Sequence, residues 1–308
     1  MHRRALIKGM LVAPAPLALG AAGVAAQAVP DTGAVADARL TAPLPVPPGG
    51  TINVAFLLAA EARVIDFAGP WGVFEYVYVG ENYHKPFKLY TVAATTDPVT
   101  VTSGMRVVPN HTFADAPAPN VVIVPAVNTD TLAPAALDWL RAVHAKTDLT
   151  ASVCNGAYVL GMAGLLDGRR ATAHHGGYGL LRTYSPKATV VRGARFIEDG
   201  RIATSGGLTS GMDLALRIIE RYYGRDVARR AAESLEYQGT GWMHPGSNAQ
   251  WTKKRTGTYD RPICQVCEAQ IPRATAVTWA YEGTTYFFCG DWCRQQFMAM
   301  PVRFLGDS

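Results

Sequence analysis

From residue 51 the chain alternates short apolar runs with stretches of helical spacing. Ile52-Asn53-Val54-Ala55-Phe56-Leu57-Leu58 reads as a strand buried on both faces, because a strand half open to water would alternate apolar with polar side chains. Residues 66–79 carry aromatics and aliphatics three and four apart, which predicts a helix with one apolar face. A strand over 87–93 and a hairpin over 100–108, turning at Ser103-Gly104, come next. Val121-Val122-Ile123-Val124-Pro125 is the strongest buried-strand signal. A helix follows over 134–146, with Pro134 in the first turn, where its missing N–H costs nothing. Residues 149–153 predict a strand and 155–163 a helix. Beyond them come a short strand at 170–173, a helix at 178–184, and strands at 189–191 and 195–204, the last turning at Asp199-Gly200. Helices over 207–223 and 226–235 complete the series. Strands alternating with helices predict an α/β fold, a parallel sheet covered on both faces as a three-layer sandwich. No internal repeat is visible.

The flanks lack this order. Residues 1–28 have an Arg3-Arg4 n-region, a mild apolar stretch and a closing Ala26-Gln27-Ala28, as expected of an export signal. The arginine pair before Leu6-Ile7-Lys8 suits the twin-arginine type, with an ordinary secretory signal as the alternative. The stretch is too short and too rich in Ala, Gly and Pro for a membrane span, so the expected product is exported, periplasmic and not integral to the membrane. Loss of this segment lowers the formal charge from +5 to +2, so the basic balance argues for no nucleic-acid partner. Residues 29–50, rich in Ala, Pro and Gly, read as a flexible tether. That leaves an α/β domain over 51–236, a linker over 237–258, and a small module over 259–308.

Cysteine supplies the candidate chemistry. Cys154 stands in Ser152-Val153-Cys154-Asn155-Gly156, between a predicted strand and a predicted helix. Small neighbours permit a sharp turn that lifts the thiol above the sheet and aims helix N–H groups at it. The expectation is a lowered thiol pKa, with the Asn155 N–H as an oxyanion donor. The plain alternative is a buried small hydrophobe. The other four form Cys264-x-x-Cys267 and Cys289-x-x-x-Cys293, two grips able to complete a tetrahedral S₄ metal site. Zinc suits it, Cu(I) or iron would also bind, and two disulfides are the alternative in an oxidising compartment. The intervening Thr278 to Phe288 alternates in period two across Glu282-Gly283, which predicts a hairpin, and 291–298 runs helically.

Four stretches resemble the ThiJ/PfpI superfamily, the class I glutamine-amidotransferase-like, flavodoxin-like fold. They are Val64-Ile65-Asp66-Phe67-Ala68-Gly69-Pro70-Trp71, the Val121 to Pro125 strand, Ser152 through Ala157 on to Gly164-Leu165-Leu166-Asp167-Gly168-Arg169-Arg170-Ala171-Thr172-Ala173-His174, and Ile202-Ala203-Thr204-Ser205-Gly206-Gly207-Leu208 through Asp213. The chain looks most like the branch holding isonitrile hydratases and the N-terminal domains of some AraC-type regulators. The resemblance implies Cys154 as nucleophile and Asp66 as the acid pointing at it; read alone, Asp66 would suit a helix N-cap. It places His174 where it lines the pocket or satisfies buried carbonyls. It assigns the rest of the pocket and oxyanion region to Asn155, Ala126, Val127, Gly206 and Gly207. Asn155 stands where hydratases carry Thr and peptidase-like members carry His, and Ala126-Val127 where a Gly pair is usual. No helix-turn-helix pattern follows. The resemblance also implies a homodimer.

Tyr281-Glu282-Gly283-Thr284-Thr285-Tyr286-Phe287-Phe288-Cys289, with Cys293, Phe297, Pro301 and Phe304, resembles the YHS/TRASH metal-binding domains. The expected whole is a cysteine-nucleophile enzyme hydrating a small unsaturated carbon–nitrogen substrate, with a structural metal in its tail. A metal-handling or metal- and redox-sensing protein, and a hydrolase of small amides or aldehyde adducts, are the alternatives.

Overall fold

The structure is a computed structural model that describes residues 42–305. The expected signal at 1–28 and the tether up to residue 41 lie outside the described residues. In chain order the elements of the first domain begin with β1 (Ile52–Leu57), α1 (Val64–Glu75), β2 (Phe87–Ala93), β3 (Val99–Thr100), β4 (Arg106–Val107) and β5 (His111–Thr112). Then come β6 (Val121–Val124), α2 (Pro134–His144), β7 (Leu149–Ser152), α3 (Gly156–Met162), β8 (Arg170–Ala171), α4 (Tyr178–Tyr184) and β9 (Thr189–Val190). The strands β10 (Phe196–Asp199) and β11 (Ile202–Ser205) and the helices α5 (Ser210–Tyr223) and α6 (Arg225–Ser234) close the domain.

The main sheet runs β10-β11-β7-β6-β1-β2-β5, parallel throughout except for the β10–β11 hairpin. Alternate residues of each central strand feed opposite faces. On β1, Ile52, Val54 and Phe56 join the core under α1, α5 and α6, while Ala55 and Leu57 join the core under α2, α3 and α4. Both faces are dry, which is why these strands lack a polar period. The expected three-layer sandwich is the observed one. The 100–108 hairpin is β3 and β4, paired antiparallel around Ser103.

Two differences have local causes. The helix expected from 207 begins at Ser210, because Leu208 takes a left-handed backbone (φ 56°) that ends a turn instead of starting a helix. The unpredicted β5 is two residues long and shows no period.

Residues 237–258 hold three-ten turns at Gly241–Met243 and Ala249–Trp251 and no strand or α-helix. They pack on the α/β domain. Trp242 is buried, the Arg195 N–H donates to the Pro245 carbonyl at 2.6 Å, and Trp251 stacks on His175 at 3.8 Å. Beyond them, β12 (Val277–Tyr281) and β13 (Thr284–Phe288) pair antiparallel across Glu282 (φ 48°) and Gly283 (φ 75°), a two-residue turn with both φ positive as hairpin twist favours. The helices α7 (Asp291–Ala299) and α8 (Val302–Leu305) follow, and Phe297 gathers Tyr286, Phe288 and Phe304 around it.

Candidate active site and cysteine cluster

The loops after β1, β6, β7 and β11 meet at the C-terminal edge of the parallel strands, where open α/β sheets place their sites. Cys154 follows β7 with φ 60°, a strained backbone for a residue bearing a Cβ. Neighbouring strands fix that turn. The Val153 N–H donates to the Val124 carbonyl at 2.9 Å, and the Cys154 N–H to the Gly206 carbonyl at 3.0 Å. Gly156 then opens α3 directly against β6, where a Cβ would lie 2.1 Å from the Val124 carbonyl oxygen. Glycine is needed there for space, since the helix could not otherwise start so close behind the thiol.

Asp66 sits in the first turn of α1, not at its cap, and is fully buried. Its Oδ2 accepts the Ala126 N–H at 3.2 Å, and Oδ1 is buried without a fully formed hydrogen bond. Burial raises the carboxyl to about 6, against the pull of the Ala126 amide, the Arg63 charge, the Cys154 thiol and the Leu208 amide. The structure thus brings Asp66 and Cys154 together. It does not give the acidic thiol that the turn suggested. Burial first, and the Asp66 charge second, push Cys154 up to about 12, outweighing the Asn155 and Leu208 amides and Arg63. The helix behind it spans only seven residues, and a buried carboxylate lies beside the sulfur. The thiol is thus held protonated beside a carboxyl whose own hold on a proton is strengthened.

The remaining predicted residues divide. Asn155 directs its amide at the sulfur, and its side-chain Oδ1 is buried without a partner. The Ala126 amide is committed to Asp66, so it is not available as an oxyanion donor; the adjacent Val127 N–H makes no hydrogen bond among the described residues. Gly206 supplies the carbonyl that holds Cys154, and Gly207 lies under His174, where a Cβ would come 2.1 Å from the ring. His174 accepts the Gly176 N–H through Nδ1 at 3.1 Å, so it satisfies an amide and not a carbonyl. Burial, His175, Arg255 and Arg63 lower it to about 4, and the ring is neutral at pH 7. No hydrogen bond joins it to Cys154. Cys154 is 3% exposed, and neither the cavity beside Tyr76 and Tyr83 nor that beside Arg182 and Arg303 reaches it.

Residues 52–221 match the DJ-1/PfpI family. The chain belongs to the DJ-1/PfpI family. An isonitrile hydratase of Pseudomonas putida is 33% identical over 189 residues, covering 60% of this chain and 78% of the relative. The HTH-type transcriptional regulator CdhR of Pseudomonas aeruginosa is 27% identical over 216 residues, covering 68% of this chain and only 62% of the regulator. The crystal structure of a ThiJ/PfpI family protein from Pseudomonas syringae superposes with a TM-score of 0.55 at 27% identity, covering 70% of this chain and 84% of that one.

The cysteine cluster lies beyond the part matched to the DJ-1/PfpI family. The sulfurs of Cys264, Cys267, Cys289 and Cys293 all lie within 4.8 Å of one another, and Cys289 alone is exposed. Cys267–Cys289 and Cys289–Cys293 are 3.6 and 3.5 Å apart, and all four are free thiols. A disulfide would need about 2.0 Å. Zinc–sulfur bonds of about 2.3 Å in a tetrahedron set sulfurs about 3.8 Å apart, so the donor set fits a metal ion of that size. The thiols of Cys267 and Cys293 donate toward Cys264 and hold it far below the usual thiol range, while they themselves are pushed up. A bound cation would remove that conflict by accepting thiolates from all four. Among the described residues no helix is long and apolar enough to cross a membrane.

Two residues that the sequence reading missed also face the Cys154–Asp66 pair. Leu208 holds its left-handed turn so that its amide reaches both Cys154 and Asp66. Arg63, exposed just before α1, places a cation near Cys154, Asp66 and His174. Its place beside the Asp66 motif was the available signal. Leu208 follows the two glycines at a loop-to-helix step, the sequence sign of an amide-lined turn.

Proposed function

We propose that the chain is an enzyme of the isonitrile-hydratase type, with Cys154 as nucleophile and Asp66 as proton carrier. The observation that carries this reading is the fully buried Asp66 carboxyl set beside the Cys154 thiol in its strained turn, and the likeness to the Pseudomonas putida hydratase supports the substrate class. Sulfur bonds to the terminal carbon of the isonitrile while the thiol proton passes to Asp66 and then to that carbon, giving a thioimidate. Amides of Asn155 and Leu208 line the sulfur and steady charge as it develops there. Water adds to the thioimidate carbon, the C–S bond breaks, and the thiol regains its proton as an N-substituted formamide leaves. Asp66 must start ionised, so the rate falls as pH drops through about 6.

The tail is proposed as a YHS/TRASH-like domain in which the four cysteines hold one zinc ion as a structural group. Export to the periplasm and assembly as a homodimer belong to the same reading. Turnover of an isonitrile panel by wild type and Cys154→Ala, with metal content measured in parallel, tests it. Formamide production by Cys154→Ala, or none by wild type, ends it. The second reading, a metal- or redox-sensing protein, draws on the cysteine cluster packed against the same domain, and it predicts metal binding without turnover.

A further inference from the structure

The cysteine cluster docks on the nucleophile domain through a buried seam. Glu268, directly after Cys267, accepts hydrogen bonds from both terminal nitrogens of Arg192 at 2.8 and 2.9 Å, and Arg182 lies 3.5 Å away. Beside this fork the Val266 carbonyl presses on Gly179, the second residue of α4, where a Cβ would lie 1.8 Å from the oxygen. Two residues earlier, the Gly177 carbonyl accepts the Tyr158 hydroxyl at 3.0 Å, and a Cβ on Gly177 would lie 2.3 Å from Asn155 Oδ1. Asn155 follows the nucleophile directly, and the buried Tyr158 lies within the electrostatic reach of both Cys154 and Cys267. Contacts thus run unbroken from Cys267 through Gly179 and Gly177 to Asn155.

The turn in the middle is soft by composition. Gly176 and Gly177 give it little stiffness of its own, and its internal bonds are the Gly177 N–H to the His174 carbonyl at 2.7 Å and the Gly176 N–H to His174 Nδ1 at 3.1 Å. Its shape is therefore set by what it packs against: Val266 through Gly179, Tyr158 and Asn155 at Gly177, and Trp251 and Gly207 at the two histidines.

We propose that the Cys264–Glu268 knuckle is a wall of the nucleophile site, and that its seat on Gly179 fixes Asn155 and shields Cys154 from water. The proposal rests on Cys154 being the reacting thiol. Whatever orders the knuckle then sets the reactivity of a thiol that it does not touch, and the reverse holds for binding free energies. Glu268 and Gly179 are positioning residues, acting through the turn and not on substrate.

The test reads labelling of Cys154 in the full chain by iodoacetamide, with each alkylated peptide identified by mass. Gly179→Ala keeps all four cysteines but drives a Cβ into the Val266 carbonyl. We expect Cys154 to label at least tenfold faster in Gly179→Ala and in chelator-treated wild type, with the labelling profile moved to lower pH as burial is relieved. Trp292→Ala, on the exposed face of the tail, labels at the wild-type rate. Labelling of Cys154 at the wild-type rate in Gly179→Ala, or in the chelated protein should that variant not fold, overturns the proposal. Because alkylation is read and not turnover, a wild type inactive on isonitriles would defeat the substrate assignment and leave this test intact.

Discussion

Asp66→Asn should gain stability relative to wild type as the pH rises, while abolishing turnover. Asp66 is fully buried, and its carboxyl is raised from 3.8 to about 6, chiefly by desolvation. The folded state therefore holds this proton more tightly than the unfolded chain, and stability falls as pH rises from about 4 to above 6. A shift of about two units is worth about 3 kcal/mol, fully lost by pH 8 and about half lost at pH 5. Asparagine keeps an oxygen for the Ala126 N–H and has no charge to bury. Any fixed cost of the amide is the same at both pH values. The stability of Asp66→Asn relative to wild type should thus grow by about 1–2 kcal/mol between pH 5 and pH 8. Urea unfolding at the two pH values, extrapolated to water, measures it. A difference that stays flat or shrinks would show that Asp66 is not held near 6, and the proton-carrier argument would fall with it.

Three further outcomes follow from other contacts. Cys154→Gly should be more stable than Cys154→Ala by about 1 kcal/mol in chemical unfolding, since glycine alone accepts φ 60° without strain; equal midpoints would deny that strain. Gly156→Ala should destabilise by about 1–3 kcal/mol and slow turnover, because its Cβ runs into the Val124 carbonyl; an unchanged melting temperature would refute the packing argument. Glu268→Ala leaves Arg192 buried without its carboxylate and should cost about 3–5 kcal/mol, read as a lower unfolding midpoint, whereas a neutral effect would show the seam is hydrated in solution.

The layers were legible because burial on both sheet faces leaves a mark in the local sequence. The apolar runs at β1 and β6 placed the central strands, and Glu282-Gly283 placed the hairpin turn. The Cys154–Asp66 meeting was legible through the resemblance, since residues on separate elements share no period. The sign of the thiol shift was not legible. A helix N-terminus is a local feature, while the burial and the Asp66 charge that outweigh it arise only in the folded chain. Nor was the seam: Arg192 and Glu268 are 76 positions apart, and a lone arginine in a loop looks like any solvated one. The packing of residues 237–258 was hidden for the same reason, since Trp242 and Trp251 bind across the fold and not along it.

The short strand β5 constrains how two copies could assemble. It forms one margin of the main sheet, yet only His111 and Thr112 pair with β2. The Thr112 amide and hydroxyl both turn back to the Asp115 carboxylate, at 2.7 and 2.5 Å. A neighbouring chain seeking to extend the sheet there would find a row two residues long with one donor already taken, guarded by a negative charge. Exposed margins of that length are poor templates for strand addition, and so for aggregation. A dimer is then not built by strand addition at this margin, and crosslinks engineered at β5 should fail to capture it.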